Sequence, residues 1–302
     1  YATKEIYNSA NTAFGDKVQA GIVPGGFVNN ELTWEKTRVL DIGVDINFLK
    51  NFSLSVDFYN KETLNILTSR PISYNNGTSS GPVINGPKVR NRGVEFELNY
   101  TGQIAQGLGL QVSLNGALNQ NKVTEYQGKD KLIQGGGTPY GYIVEGQPIG
   151  KFYIMKVDHI VQSKDEIDAM SADGYRFGLG GIPGPGDFLF SDTYGDKRIN
   201  ENDRVLIGNP QPKFTFGANV GLNYKNIDFN VLFSGVLGWD RYINNQFTSL
   251  SAHTVGYLYP KEFLNMYTDE KPSKDYPKVY TNNSKNQVSV GSTWHLHKAD
   301  YM

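Results

Sequence analysis

The chain lacks three features, and each absence excludes a class of protein. It has no cysteine, which excludes a disulfide scaffold, a thiolate metal site and a cysteine nucleophile. Its 29 basic and 30 acidic residues give a net charge of -1, so the basic footprint of a nucleic-acid-binding protein is absent. No apolar run approaches the roughly 20 residues of a membrane-spanning helix. A soluble protein and a transmembrane β-barrel remain.

What the chain has in abundance favours turns and strands over helices: 34 Gly, 19 Tyr and 16 Phe. In the stretch VLDIGVDINFLKNFSLSVDF, every second residue is apolar, and only a strand has this period of two. Six segments show the pattern: residues 40–48, 52–58, 94–100, 110–115, 214–223 and 227–234. Each is close to the about 9 to 11 residues with which a tilted strand crosses a bilayer. The sequence therefore predicts an all-β, antiparallel fold.

The connections between these segments alternate in length. Three are hairpin-sized, and they contain LKN, TGQIAQG and KN. The others are long, above all the predicted loops 122–213 and 238–293. Short turns on one side and long loops on the other are typical of outer-membrane barrels, whose long loops are extracellular. A soluble antiparallel sheet with one solvated face gives the same alternation within its strands.

The first long loop should contain one short helix. SKDEIDAM at 163–170 begins with Ser163 and has Glu166 three residues later, which is the spacing of a capping box. The Gly/Pro segment GLGGIPGPGD that follows cannot continue a helix.

Several longer motifs carry a family resemblance. In order along the chain they are NNELTWEKTRVLDIGVDINFL, GPKVRNRGVEFELN, PIGKFY, PGDFLFSDTYGDKRINENDRVLIGNPQPKFTFG and STWHLHKADYM. They resemble successive signatures of the SusC-like TonB-dependent outer-membrane transporters of Bacteroidetes. The resemblance extends over nearly the whole chain.

The resemblance implies a multi-pass barrel of roughly 22 strands with a plugged lumen. Residues 1–302 would supply six to seven strands from the C-terminal half of that barrel, without the plug, as an internal piece of a longer protein. The apolar faces would contact lipid, and the carboxylates of Asp41, Asp45, Asp57, Glu95 and Glu97 would face the lumen. Contact of these carboxylates with lipid would cost much free energy.

The resemblance also implies a function and its partners. The whole protein would import oligosaccharides or peptides, and it would not be an enzyme. Its partners would be a SusD-like lipoprotein on the extracellular side, the TonB complex through the absent plug, and the remaining strands of the same protein. The alternative is a secreted β-sandwich module that binds carbohydrate and holds a structural calcium ion, with its apolar faces packed against each other.

Residues 192–203, DTYGDKRINEND, resemble a degraded calcium loop. Oxygen-bearing side chains occupy its first, fifth, ninth and twelfth positions: Asp192, Asp196, Asn200 and Asp203. Tyr194 replaces the usual third ligand, and Lys197 stands where such loops have glycine. Calcium is therefore the one cofactor that the sequence suggests. The other interpretation is an ordered acidic turn in which Arg198 or Arg204 pairs with the carboxylates.

The long loops are rich in aromatic residues interleaved with Asn, Gln and Asp. Aromatic rings that cover sugar faces would suit substrate capture or contact with a lid, whereas rings that pack loops together fit equally well. The predicted contact residues are Tyr140, Tyr142, Tyr175, Trp239 and Tyr242. The basic run KVRNR at 88–92 is interpreted as an end-of-strand charge cluster rather than a binding patch. No serine in a GxSxG-like elbow accompanies Asp158 and His159, so no triad is predicted.

Overall fold

The computed structural model describes residues 7–14, 17–24, 28–70, 81–126, 133–134, 141–243, 261–278, 280 and 290–302. Its first eight strands are β1 Tyr7–Phe14, β2 Lys17–Pro24, β3 Lys36–Phe48, β4 Phe52–Leu64, β5 Leu67–Ser69, β6 Val83–Asn85, β7 Lys88–Ala105 and β8 Leu108–Glu125. The next eight are β9 Ile133–Gln134, β10 Gly141–Ile143, β11 Lys151–Met155, β12 Val157–Ile160, β13 Arg176–Phe177, β14 Phe188–Phe190, β15 Arg198–Ile199 and β16 Arg204–Ile207, with helix α1 Lys164–Ala172 between β12 and β13. The last four are β17 Phe214–Tyr224, β18 Ile227–Leu237, β19 Asp240–Tyr242 and β20 Leu296–Lys298. Among these residues, no helix has the length and apolar character needed to cross a membrane.

The main feature is a six-stranded antiparallel sheet in the order β18-β17-β8-β7-β4-β3. All six predicted segments lie in it, and every neighbouring pair in the sheet is also consecutive among them. The short connections are LKN between β3 and β4, the turn at Gln106 and Gly107 between β7 and β8, and KN between β17 and β18. Gly107 has φ 74, a left-handed conformation that glycine adopts without a Cβ clash. The three turns lie at the same end of the sheet.

The register places the apolar residues of all six strands in continuous rows on one face. One row runs through Ile46, Leu54, Leu98, Leu114, Ala218 and Phe233. The next runs through Val44, Val56, Phe96, Gly116, Phe216 and Gly235. In that row, the ring of Phe96 lies where a Cβ on Gly116 would be, at 2.7 Å, and the ring of Phe216 similarly covers Gly235. Aromatic rings thus fill the gaps that the glycines leave in the apolar face.

This apolar face is not covered by a second layer of the described residues. The exposed fractions of Val44, Phe58, Phe96 and Phe229 are 56%, 59%, 36% and 57%. A β-sandwich requires these side chains to pack against another sheet. The sandwich alternative is therefore wrong, because the apolar face is open to its surroundings.

The larger buried cluster lies in the segment between β8 and β17, and a smaller one forms where Val89 of β7 and Val123 of β8 meet Tyr126 and Ile143. Met155, Ile160, Val161, Ile167, Phe188, Leu189, Phe190 and Ile199 are buried in the larger cluster, together with Met266 and Tyr267 from the second long loop. A four-stranded sheet in the order β16-β11-β10-β9 and the pairs β12-β14 and β13-β15 surround this core. The predicted first loop is thus a folded unit, and β8 extends into it as far as Glu125.

The helix is confirmed, but its capping box is wrong. Helix α1 spans Lys164–Ala172, and Ser163 occupies the N-cap position with φ -141 and ψ 156. The Ser163 side chain makes no capping hydrogen bond. Glu166 contacts the imidazole of His159 instead of the backbone at the helix start. Its charge still lies in the first turn, where the helix dipole favours an anion.

The structure also adds two features to the sequence prediction. Strands β1 and β2 form a separate hairpin that the alternation did not reveal. Strands β7 and β8 have 18 residues each, about 60 Å of extended chain at the usual rise per residue. The run KVRNR is consequently part of β7 and does not precede it.

Candidate functional site

The inner face of the main sheet, opposite the apolar rows, carries most of the polar side chains. Asp45 lies opposite Ser55, whose hydroxyl donates a hydrogen bond to Asp45 Oδ1 at 2.6 Å. Asp57 lies directly opposite Glu95 on the neighbouring strand. With Asp41 and Glu97 on the same face, five carboxylates project from β3, β4 and β7. This part of the face is a strongly acidic wall.

On β7 and β8 the same face changes from carboxylates to amides. The hydroxyl of Tyr59 donates to Asn119 Oδ1 at 2.9 Å, and Asn121 Nδ2 donates to Asn91 Oδ1 at 2.8 Å. Asn115 lies opposite Glu97 and Gly217. The sequence prediction ended this strand at Asn115. The alternation in QVSLNGALNQN continues past Leu114, however, and would have identified these amides.

Four of the five predicted aromatic contact residues are described by the structure, and all four are half-buried. Tyr142 meets Tyr153 edge to face, with ring centroids 5.3 Å apart. Tyr242 lies 5.8 Å from Phe152 and 5.5 Å from the ring of His295.

Tyr175 and Trp239 are the remaining predicted aromatic residues in the described part of the chain. Tyr175 packs against the buried core and lies beneath the ammonium of Lys197 at 5.8 Å. The indole nitrogen of Trp239 is buried without a hydrogen-bond partner among the described residues. Tyr140 lies outside the described residues. Tyr142 and Tyr175 therefore belong to different clusters, and a role of these rings in substrate or lid contact stays a prediction.

The loop 192–203 is organised by its own carboxylates. Asp203 has an exposed fraction of 0%, and its Oδ1 accepts hydrogen bonds from the amides of Thr193 at 2.9 Å and Tyr194 at 3.0 Å. Its Oδ2 accepts one from the amide of Asn200 at 2.8 Å. Asp192 accepts from the amides of Gly195 and Lys197. The turn is thereby closed by hydrogen bonds from backbone to carboxylate.

Two observations bear on the calcium hypothesis for this loop. Lys197, at the position where calcium loops have glycine, has φ 59, the left-handed conformation that this glycine supplies. Within the described part of the chain, no group of three or more His, Cys, Asp or Glu residues is arranged to hold a metal ion. Arg204 forms an ion pair with Glu201. The backbone shape fits a calcium loop while its oxygens bind amides, and calcium binding stays a prediction.

His159 connects strand β12 to helix α1. Its Nδ1 lies 2.8 Å from Asp158 Oδ2, and its Nε2 contacts Glu166. Partial burial acts to lower the pKa of His159, but the hydrogen bonds and charges of Asp158 and Glu166 outweigh it, so the pKa is raised. Both imidazole nitrogens bind carboxylates, an arrangement that anchors the helix.

A second buried acid stabilises the Gly/Pro segment after the helix. Asp187 Oδ2 accepts a hydrogen bond from the amide of Gly184 at 2.8 Å. Burial raises the pKa of Asp187, against the opposing effects of Gly184, Tyr280 and Lys278. Asp187 also contributes to raising the pKa of Tyr280, after burial, which is the larger cause. These groups hold the second long loop against the core of the first.

Comparison with known proteins identifies the architecture to which this two-faced sheet belongs. Residues 3–258 match the family model described as TonB dependent receptor-like, beta-barrel. The chain belongs to this family. Its apolar rows are therefore the lipid-facing side of an outer-membrane barrel, and its inner face lines the lumen.

Relatives of this TonB-dependent receptor chain include "TonB-dependent receptor P3" of Formosa agariphila, which is 31% identical over 245 residues, 79% of this chain and 24% of the relative. "TonB-dependent receptor SusC" of Bacteroides thetaiotaomicron is 23% identical over 313 residues, 97% of this chain and 27% of the relative. Among solved structures, the RagAB peptide transporter has a TM-score of 0.71 at 19% identity and covers 99% of this chain and 30% of that chain. The last likeness concerns the fold alone. The chain spans about a quarter to a third of the length of these proteins.

Proposed function

We propose that this chain is part of the wall and the extracellular rim of a TonB-dependent importer of oligosaccharides or peptides. The observation that supports the proposal best is the sorting of side chains on the main sheet. Uninterrupted apolar rows face lipid on one side, while carboxylates and amides occupy the other. Such a wall separates hydrocarbon from a hydrated path for a polar solute.

The inner wall suits a cargo rich in hydroxyl or amide groups. Its amides both donate and accept hydrogen bonds, and its carboxylates accept them. These groups can exchange bonds with water for bonds with sugar hydroxyls or peptide amides. Five carboxylates on three neighbouring strands create a negative potential that disfavours anionic cargo. The wall therefore favours neutral or cationic oligomers of either class.

The folded unit between β8 and β17 would act as the rim. Because it has its own buried core, its surface is a pre-organised platform rather than a set of separate loops. A SusD-like lipoprotein closing over this platform would trap cargo above the lumen. Energy would reach the barrel from the TonB complex through a plug supplied by the rest of the protein.

The test uses the full-length protein with its partner lipoprotein in cells. Uptake of labelled neutral oligosaccharides and of labelled peptides is compared with and without a functional TonB complex. We expect TonB-dependent uptake of one class, and co-purification of a surface lipoprotein with the barrel. TonB-independent accumulation, or uptake of neither class, would contradict the proposal.

A pair of variants tests the role of the inner wall. Glu95→Gln with Glu97→Gln keeps the size of both side chains and removes two lumen charges. We expect this variant to raise uptake of an anionic analogue of the cargo relative to the neutral one. Asp165→Asn with Asp168→Asn in the exposed helix α1 is the matched control: it removes the same charge away from the inner wall and should leave this ratio unchanged. An unchanged ratio in the lumen variant would show that the acidic wall does not select cargo by charge.

A further inference from the structure

One tyrosine of the inner face lies along the wall of the main sheet. Tyr59 of β4 pairs with Gly93 of β7, which in turn lies opposite Asn119 of β8. A Cβ added to Gly93 would lie 2.6 Å from the hydroxyl oxygen of Tyr59 and 2.7 Å from its Cζ, so the far end of the ring covers this glycine. The same hydroxyl donates to Asn119 Oδ1 at 2.9 Å. The side chain therefore crosses β7 and is held at its far end by β8.

This arrangement pre-organises the ring of Tyr59 for a ligand. Because Gly93 has no side chain, the ring lies close to the backbone of the wall on one side, and its other side is turned to the lumen. Tyr59 is half-buried. A side chain that is already immobile loses little conformational entropy when a ligand packs on it. The free side of the ring is an apolar surface at the edge of a polar wall, which suits a ligand that is itself part apolar and part polar.

Three amides border this ring, and we call Asn91, Asn119 and Asn121 the asparagine cluster. Their side-chain oxygens already accept hydrogen bonds. Asn91 Oδ1 accepts from Asn121 at 2.8 Å and from Asn119 at 3.5 Å. Asn119 Oδ1 accepts from Tyr59, and Asn121 Oδ1 accepts from the backbone amide of Ile149 at 2.8 Å.

The side-chain nitrogens of the asparagine cluster are less occupied than its oxygens. Each amide has two N–H donors. In the described part of the chain, Asn119 and Asn121 each use one of them, on Asn91, and Asn91 uses neither. What the cluster offers to a ligand is therefore mainly N–H groups, which require a ligand that accepts hydrogen bonds.

This requirement and the neighbouring charges narrow the class of ligand. Ammonium and guanidinium groups accept no hydrogen bonds. Anionic groups accept them, but Asp41 lies directly opposite Tyr59 and Glu95 follows two residues after Gly93, so their carboxylates repel an anion. The hydroxyl and ether oxygens of a neutral sugar accept hydrogen bonds without carrying charge. The C–H groups of a pyranose also form an apolar face that can lie on an aromatic ring, which an extended peptide backbone lacks.

The surface has room for one sugar ring. Tyr59 and Asn119 lie on either side of β7, so their strands are about 9.6 Å apart, two inter-strand spacings. Asn91 and Asn121 form the next inner row towards the long loops, one step of two residues or about 6.6 Å away. An area of this size accommodates one pyranose with its hydroxyl groups.

We propose that Tyr59 and the asparagine cluster form a sugar subsite in the wall of the lumen. A neutral pyranose packs its apolar face on the ring of Tyr59 and directs hydroxyl oxygens to the free N–H groups of Asn91 and Asn119. The inference rests on the proposed function, and it selects oligosaccharide rather than peptide as the cargo. The subsite lies in the half of the wall nearer the long loops, where cargo passes after leaving the rim.

The experiment is a calorimetric titration of the full-length barrel protein in neutral detergent. The probes are neutral hexasaccharides of glucan, mannan, galactan and xylan, and neutral hexapeptides. Tyr59→Leu removes the ring, and Tyr59→Phe keeps the ring without its hydroxyl. The matched control is Tyr224→Leu, since Tyr224 belongs to the apolar face and is 45% exposed there. Resistance to unfolding in cold dodecyl sulfate verifies that each variant is folded.

We expect the parent and Tyr224→Leu to bind at least one hexasaccharide equally and more tightly than the hexapeptides. Tyr59→Leu should bind that hexasaccharide about tenfold more weakly, because the stacking surface is lost. Tyr59→Phe should keep most of the affinity. Asn91→Ala leaves the ring in place and should weaken binding about fivefold, as expected for the loss of one hydrogen bond. It tests the subsite independently if Tyr59→Leu does not fold.

Three results would overturn the subsite while the importer function stands: a parent that binds hexapeptides but no hexasaccharide, full affinity in both Tyr59→Leu and Asn91→Ala, or equal losses for hexasaccharide and hexapeptide. Failure of the proposed function itself has a different signature, the absence of TonB-dependent uptake of both classes in cells.

Discussion

The lipid-facing assignment makes a quantitative prediction for Val44→Arg. Val44 is the middle one of the five apolar residues that β3 presents outward, from Leu40 to Phe48, so it lies near the bilayer midplane. An arginine on the lipid face at this depth costs about 2–4 kcal/mol. The lost valine adds about 1–2 kcal/mol, because 56% of it is open to lipid and full burial of such a side chain contributes about 1.5–3 kcal/mol. The folding equilibrium in vesicles should therefore shift by about 3–6 kcal/mol.

The assay is reversible urea unfolding of the full-length barrel in lipid vesicles. Two controls on the same strand isolate the cause. Phe48→Arg lies on the same face but at the short-turn boundary, where an arginine costs about 0–1 kcal/mol beyond the lost ring contacts. Asp45→Arg is adjacent to Val44 but faces the lumen, so it adds no charge to hydrocarbon. If Val44→Arg costs no more than Asp45→Arg, the apolar face does not contact lipid and the reasoning fails.

Three further predictions concern packing, pH and metal. Gly93→Ala should lower stability by about 1–3 kcal/mol in the same urea assay, because the added Cβ would lie 2.1 Å from the carbonyl oxygen of Leu118. Gly109→Ala is the control and should be nearly neutral, since no atom lies nearer than 3.6 Å to its added Cβ. Equal effects would contradict the close approach. Because the pKa of His159 is raised in the folded protein, the protonated imidazole stabilises the fold. This stabilisation is complete below the ordinary histidine pKa near 6.5 and is lost as pH rises through the raised pKa. Hydrogen exchange of helix α1, corrected for intrinsic rates, should therefore quicken from pH 6 to pH 9 in the parent but not in His159→Gln; equal pH dependence would refute the role of the imidazole. Calcium binding at 192–203 predicts that Ca²⁺ slows exchange in this loop and that Asp192→Asn removes the effect, while exchange unchanged by Ca²⁺ in the parent would exclude the site.

The six strands of the main sheet could be predicted from the sequence because each strand has two different environments. In β3, Leu40, Ile42 and Val44 alternate with Asp41 and Asp45, so the period of two is visible in single letters. The hairpin partners followed from the short connections, since LKN and KN leave no room for another topology. The contact of the apolar face with lipid was harder to infer. It depended on the loop lengths and the family resemblance, since a half-solvated sheet has the same alternation.

The folded unit between β8 and β17 could not be predicted in the same way. Its strands have two to five residues, which is too short for a period to show. Its core also depends on long-range contacts, such as Met266 and Tyr267 packing with Ile167 and Phe188. The helix could be predicted because KDEI at 164–167 is a local signal, an acidic first turn. The contact that Glu166 makes could not be predicted. That contact depends on His159, seven residues earlier in the sequence but adjacent in space.

Arg90 and Arg92 show how strand parity changes the meaning of a charge run. Read as a string, KVRNR is a basic cluster at the end of a strand, and it gives no direction to its side chains. Once β7 is known to continue through Lys88, the residues of even number, Arg90 and Arg92, point to the lipid side, and Asn91 points to the lumen. A shift of one residue in register would place both arginines in the acidic lumen and Glu95 and Glu97 in hydrocarbon. That exchange would bury two carboxylates in hydrocarbon and would turn the apolar residues Val94, Phe96 and Leu98 away from lipid. Both effects oppose the shift and fix the register of this strand.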